Sequence, residues 1–281
     1  MNYWAYLGFL AAMLPAVPVL QAGGAVTGTT IRFSSLDRKQ PFHVSGTLYL
    51  PDGASAPYPA IVLVHGTTGI DSRGLLYRAP VLDAGIAIFE VDFKTGIYTS
   101  ATDRPPNESF LPLAFAALQE LRKLPTLDPA RIGIMGFSLG GGVTLRTALD
   151  ANRQLWMPSQ KGFAAHAAFY PVCKPFITKV EHSGARMTGA PMIIFYGTDD
   201  SYGEGKAVPE LKRLLQKKLN FDVITVEYAG ATHGFNRNGP PVSYADPAAI
   251  GGKGYMAWNA DAANDSIPRV LAFLRDALGV K

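Results

Sequence analysis

Six short runs of this chain are apolar almost without interruption, and they limit its fold more than any other feature. Residues 60–65 read AIVLVH, 86–91 IAIFEV, 132–135 IGIM, 164–170 AAHAAFY, 192–196 MIIFY and 223–228 VITVEY. A strand that alternates apolar and polar residues buries one face, whereas a continuous run buries both. Segments with helical spacing of apolar residues separate these runs, at 73–84, 110–124, 139–149, 207–219 and 267–278. Asn107 or Ser109 is placed to cap the second of them, and Pro125 to end it. Residues 31–36 and 43–50 read as two earlier strands, followed by a Pro-Asp-Gly turn at 51–53. The pattern predicts an α/β fold, with a mostly parallel central sheet covered by helices on both faces.

The 281 residues suffice for such a sheet with a substantial core. Apolar residues at 48% and charged residues at 17% describe a globular chain. The formal net charge is only +4, and the basic residues are scattered, which argues against a nucleic-acid partner. Residues 3–20 carry no charge and are followed by Ala22, Gly23, Gly24 and Ala25, an apolar core before a small-residue cleavage region. This predicts a signal peptide over 1–25, export to the periplasm or beyond, and one catalytic domain over 26–281. Pro15 and Pro18 leave the apolar run short for a retained membrane span. Cys173 is the one cysteine, so no disulfide within the chain is possible. A small buried hydrophobe beside a strand end is its expected role.

The sharpest local signal is Gly136-Phe137-Ser138-Leu139-Gly140. It follows the run IGIM and opens the helical segment LGGGVTLRTAL, which is the strand–turn–helix setting of a nucleophile elbow. The turn holds the serine backbone strained, and the flanking glycines omit Cβ atoms that would clash. The start of the helix favours negative charge developing at the serine oxygen.

A serine hydroxyl needs a base, and the base needs a carboxylate. Of the five histidines, His233 comes just after the last predicted strand, where a loop at the sheet's C-terminal edge should carry it. His43 sits in an early strand. His65 ends a strand beside Gly66 and is expected to play a structural part. His166 is expected to pack inside a strand, and His182 to lie in a polar loop. Asp199 and Asp200 follow the run MIIFY, and one of them should reach the imidazole. The order Ser138, Asp, His233 is that of α/β-hydrolases. For the oxyanion, the expected backbone donors are the N–H of Leu139 and that of Thr67 in the loop after AIVLVH, with Thr68 as the alternative. Two irregular stretches, 96–107 and 236–262, follow strand ends and are expected at the rim of a pocket. Tyr98, Tyr202, Phe235, Tyr255 and Trp258 are its candidate lining.

HGTTG, RIGIMGFSLGG, YGTDD and ATHGFNR, in this order, resemble the dienelactone hydrolase family of α/β-hydrolases. The likeness runs from about residue 60 to 233. It implies a catalytic triad in which the acid of a G-x-x-D pattern is Asp200 and the histidine of an H-G-F pattern is His233. It also implies a chain without metal or cofactor that acts on small ester or lactone substrates. Ser138 stands where founding members carry a cysteine, and Gly66 where they carry a glutamate, which suits a general carboxylesterase better than a dienelactone-specific enzyme. The expected function is therefore hydrolysis of carboxylic esters or lactones through an acyl-serine intermediate. Peptidase or acyltransferase chemistry at the same triad, or a non-catalytic binding role for the fold, remain the alternatives.

Overall fold

The computed structural model describes residues 27–281 except 54, 101 and 183. The predicted signal peptide thus lies outside the described residues. In chain order the elements are β1 (Thr29–Ser34), β2 (His43–Tyr49), β3 (Tyr58–Val64), α1 (Ser72–Asp83), β4 (Ala87–Asp92), α2 (Leu111–Arg122), β5 (Leu127–Phe137), α3 (Leu139–Thr147), α4 (Asp150–Trp156), β6 (His166–Phe169), α5 (Lys174–His182), β7 (Met192–Gly197), α6 (Glu204–Leu219), β8 (Ile224–Tyr228), β9 (Val242–Ala245), β10 (Lys253–Met256) and α7 (Ala260–Ala277). Among the described residues no helix is long and apolar enough to cross a membrane.

Eight strands form one sheet in the order β1-β2-β4-β3-β5-β6-β7-β8. β1 and β2 run antiparallel at one edge, and the pairs from β4 to β8 are parallel. The continuous apolar runs follow from this order: β3, β4, β5, β6 and β7 lie inside the sheet and are buried on both faces over their apolar stretches, whereas β8, at the edge, is partly exposed along its length. In β3, Ala60, Val62 and Val64 point to one side and pack with α2 and α3, while Ile61 and Leu63 point to the other and pack with α1 and α7. β7 divides in the same way: Ile193 and Phe195 face α7, whereas Met192, Ile194 and Tyr196 face α5 and α6.

Several boundaries differ from the sequence reading, for physical reasons. Residues 107–110 form a 3-10 turn rather than the cap of α2, and the Asn107 side chain accepts from Arg104 Nη1 at 2.6 Å instead. α6 and α7 each begin earlier than expected. α7 is capped by Asn259, whose side chain accepts from the Ala262 N–H. His182 closes α5 instead of lying in a loop, with Nδ1 donating to the Thr178 carbonyl at 2.8 Å. The irregular stretch 236–262 holds a small hairpin, β9 and β10. This hairpin is tied back to the sheet by a bridge between His233 and Met256.

Candidate active site

β5 runs straight into α3, and Ser138 is the single residue between them. Its φ of 54° lies in the left-handed region, which a side chain occupies only under constraint. The constraints are visible. The Ser138 N–H donates to the Phe169 carbonyl at 3.0 Å, and its own carbonyl accepts from the Gly142 N–H at 2.8 Å. A Cβ on Gly136 would stand 2.2 Å from the Gly140 carbonyl oxygen, so the turn closes only on glycine. The hydroxyl is thereby presented at the N-terminus of α3, beside the Leu139 N–H, which has no partner within its own helix.

Asp200 follows β7 and His233 follows β8, and the sheet order brings both loops to the same edge as the elbow. His233 Nε2 lies 2.8 Å from Ser138 Oγ, and Nδ1 lies 2.8 Å from Asp200 Oδ2. An ionised carboxylate can only accept, so Nδ1 donates its proton to Asp200 and Nε2 is left to accept from the serine hydroxyl. The other oxygen, Asp200 Oδ1, accepts from the Tyr202 N–H at 2.8 Å, which fixes the carboxylate. Asp199 points away: it is exposed and takes the Thr198 hydroxyl at 3.0 Å. The imidazole is 1% exposed, held between the rings of Tyr170 at 4.8 Å and Tyr202 at 4.4 Å. Behind it, Tyr170 donates to Asn236, whose amide donates to the Tyr77 hydroxyl at 2.8 Å.

A cavity of about 100 Å³ opens onto Ser138 and His233. Thr67 and Thr68 both border it, so the first-choice oxyanion donor and its alternative lie on the same wall. Their loop is braced from below. Tyr98 donates to the Thr67 carbonyl at 3.1 Å. His65 Nδ1 donates to the Gly66 carbonyl at 2.6 Å, while Nε2 accepts from the Phe93 N–H at 2.9 Å. His65 thus has the structural part expected of it. Asp92 Oδ1 stands 3.8 Å from Nε2 and accepts instead from the Lys94 and Thr95 N–H groups at 2.9 and 3.0 Å.

Of the five aromatic candidates, Tyr202 lines the cavity. The other four do not. Tyr98 is packed behind the loop against Phe110, and Phe235 is fully buried in the core against Tyr170 and Tyr228. Tyr255 lies on β10 and is exposed, and Trp258 is half-buried away from the cavity. The remaining wall comes from Arg73, Tyr244, Asp246 and Met256, which the sequence reading did not single out. Tyr244, Asp246 and Met256 do fall in the stretch 236–262 expected at the rim. Arg73 gave no signal, because its burial depends on a pairing with Asp71 at 2.6 Å.

An eight-stranded, mostly parallel sheet that carries a strained serine on a strand–helix turn, with an imidazole and a carboxylate on later loops, defines the α/β-hydrolase class. Within it, the chain belongs to the dienelactone hydrolase family, whose sequence profile matches residues 44–278. Esterase FrsA of Yersinia enterocolitica is 28% identical over 118 residues, which are 42% of this chain and 28% of that protein. Esterase FrsA of Yersinia pestis is 29% identical over 104 residues, 37% of this chain and 25% of that one. These matches span about a quarter of the relatives' own length. Among solved structures, the dienelactone hydrolase-like promiscuous phosphotriesterase P91 from metagenomic libraries is similar with a TM-score of 0.65 and 18% identity, over 89% of this chain and 98% of that one. Esterase 2 of the planctomycete Thermogutta terrifontis, in a structure phosphorylated by paraoxon, gives 0.61 and 17% over 89% and 94%. At such identities the likeness establishes the fold.

Proposed function

We propose that this protein hydrolyses small carboxylic esters or lactones, with Ser138 as nucleophile, His233 as general base and acid, and Asp200 as the group that orients the imidazole. The observation that carries the reading is the pair of 2.8 Å contacts that put His233 between Ser138 and Asp200. In the first step Ser138 Oγ attacks the carbonyl carbon while its proton passes to His233 Nε2. The carbonyl oxygen, now negative, is met by the N–H of Leu139 at the helix N-terminus and that of Thr67 or Thr68. Collapse of the intermediate breaks the bond to the alcohol oxygen, which takes the proton from His233. Water then repeats the sequence on the acyl-serine and regenerates the hydroxyl.

The cavity supports small substrates. Pockets that enclose drug-sized ligands start at roughly 300 Å³. A site of about 100 Å³ encloses the reacting ester group and a few neighbouring atoms, and the rest of a larger substrate lies at its open mouth. Membership in a hydrolase family and the esterase relatives agree with ester chemistry. The test is covalent. Paraoxon or a fluorophosphonate should add once, on the tryptic peptide containing Ser138, and abolish turnover of p-nitrophenyl acetate. Full activity in Ser138→Ala would overturn the assignment.

A further inference from the structure

The cavity wall beside His233 carries a carboxylate that the hydrolytic mechanism does not use. Asp246, after β9, accepts from the Tyr202 hydroxyl through Oδ2 at 2.6 Å and from the Ala248 N–H through Oδ1 at 2.9 Å. The Tyr244 hydroxyl stands 3.2 Å from that of Tyr202. Among the described residues no ion pair engages Asp246. The one cationic side chain on the same cavity wall is Arg73. Its charge is already met: Nε and Nη2 donate to Asp71 at 2.8 and 2.6 Å, and Nη2 also donates to Thr68 Oγ1 at 2.8 Å. Taken together, Arg73, Asp71 and Asp246 leave one negative charge beside the nucleophile.

The position of this wall tells which half of an ester meets it. The alcohol oxygen takes its proton from His233 and must therefore leave along the imidazole. The Tyr202 ring lies 4.4 Å from that imidazole and borders the same cavity as Ser138. Groups on the alcohol part of the substrate reach Tyr202, Tyr244 and Asp246. What they find there is acceptor-rich. Asp246 has lone pairs to spare after its two bonds, and the Tyr202 oxygen, having donated its proton to Asp246, can accept. A carboxylate in a small, partly dehydrated site favours a donor and opposes a second anion.

Building on the ester-hydrolase reading, we propose that Asp246, with Tyr202 and Tyr244, forms a subsite for the hydroxyl groups of the alcohol half, so that the preferred substrates are short-acyl esters of polyols and anionic esters are rejected. The chemistry is the same whether the polyol is a glycerol-like chain or a sugar.

The test compares kcat/KM for four acetates on the wild-type protein: propyl acetate, glycerol monoacetate, a methyl glucoside monoacetate and 4-acetoxybutyrate. Expected is a gain of at least tenfold for one or both hydroxylated esters over propyl acetate, and a loss of at least tenfold for the carboxylate ester. Gain on the glycerol ester alone points to chain polyols, and gain on the glucoside alone to sugars. In Asp246→Asn the ratio of carboxylate ester to propyl ester should rise at least fivefold. In Tyr244→Phe, which keeps the ring, the hydroxyl preference should fall at least threefold. Should Asp246→Asn fail to fold, the wild-type ratios and Tyr244→Phe still decide. Equal kcat/KM across all four acetates, or a preference for the anion, overturns the subsite while leaving ester hydrolysis intact. No turnover of any ester, and no labelling of Ser138, would instead remove the function on which the subsite rests.

Discussion

Gly140, in the first turn of α3, packs so closely against the end of β3 that a Cβ on it would stand 2.2 Å from the Val64 carbonyl oxygen and 2.7 Å from that of His65. The helix that Ser138 opens and the strand leading to the Thr67 loop are therefore in backbone contact. Their spacing sets the distance between Ser138 and the Thr67 N–H. Gly140→Ala must push α3 away from β3. The expected loss of stability is about 1–3 kcal/mol from overpacking. A displacement of about 1 Å at the elbow should also cost on the order of 10² in kcat. Gly142→Ala is the control, since its Cβ would meet just the flexible Arg146 Nη1, at 3.1 Å. Urea unfolding and p-nitrophenyl acetate kinetics on both variants check the contrast.

The two adjacent aspartates should behave very differently. Asp200 Oδ2 is bonded to His233 Nδ1, and an asparagine there can present an N–H where an acceptor is needed. The imidazole would then flip its tautomer and lose the free Nε2 that Ser138 requires. By analogy with the serine protease triad, Asp200→Asn should lower kcat by about 10⁴. The fold should survive, because Tyr202 keeps an acceptor at Oδ1. Asp199→Asn, exposed and bonded to its neighbour's hydroxyl, should stay within about threefold of wild type. Steady-state kinetics with far-UV circular dichroism on the two variants decides between them.

What could be read from the residues follows from how local each signal is. Strands β3 to β7 announce themselves because burial on both faces leaves unbroken apolar runs. Ser138, Asp200 and His233 are legible because they are the first, third and fifth residues beyond β5, β7 and β8. α4 escaped notice because none of its residues is buried, so its sequence DANRQLW carries no apolar stripe. The β9–β10 hairpin escaped because its strands are four residues each and half exposed. The cavity wall it supplies depends on where the hairpin folds back, and no local pattern encodes that. Phe235 marks the converse error. It lies two residues after His233 in sequence but turns inward, because the left-handed φ of Gly234 reverses the chain there.

His166 sits in the middle of the sheet between Ile134 and Met192, its register partners on β5 and β7. It is fully buried, and neither ring nitrogen has a hydrogen-bond partner among the described residues. Burial pushes its pKa down to about 4, from 6.5 in an exposed histidine. Between those values the unfolded chain takes up a proton that the folded chain refuses, so stability is lost as pH falls from about 6.5 towards 4. The loss between pH 7.5 and 5 should be about 2 kcal/mol. His166→Phe, which keeps a flat ring in that apolar layer, should remove this slope. Urea titrations of wild type and variant at the two pH values provide the comparison.

Glu204 should show the opposite sign. It opens α6 fully buried, with both carboxyl oxygens accepting from the Cys173 N–H at 3.2 and 3.3 Å. Burial is the largest influence and pushes its pKa up to about 8, and the Asp200 charge adds to this. The folded state therefore holds a proton that the unfolded chain releases near pH 4.5, so this group costs progressively more stability as pH rises from 4.5 to 8. Glu204→Gln keeps the shape and cannot ionise. It should unfold at a higher urea midpoint than wild type at pH 8, by an amount corresponding to at least 1 kcal/mol, and show little difference at pH 4.5. A variant that is less stable than wild type at pH 8 would mean that the buried group is ionised in the folded protein and held by a charge partner. That result would place a second negative charge near Asp200.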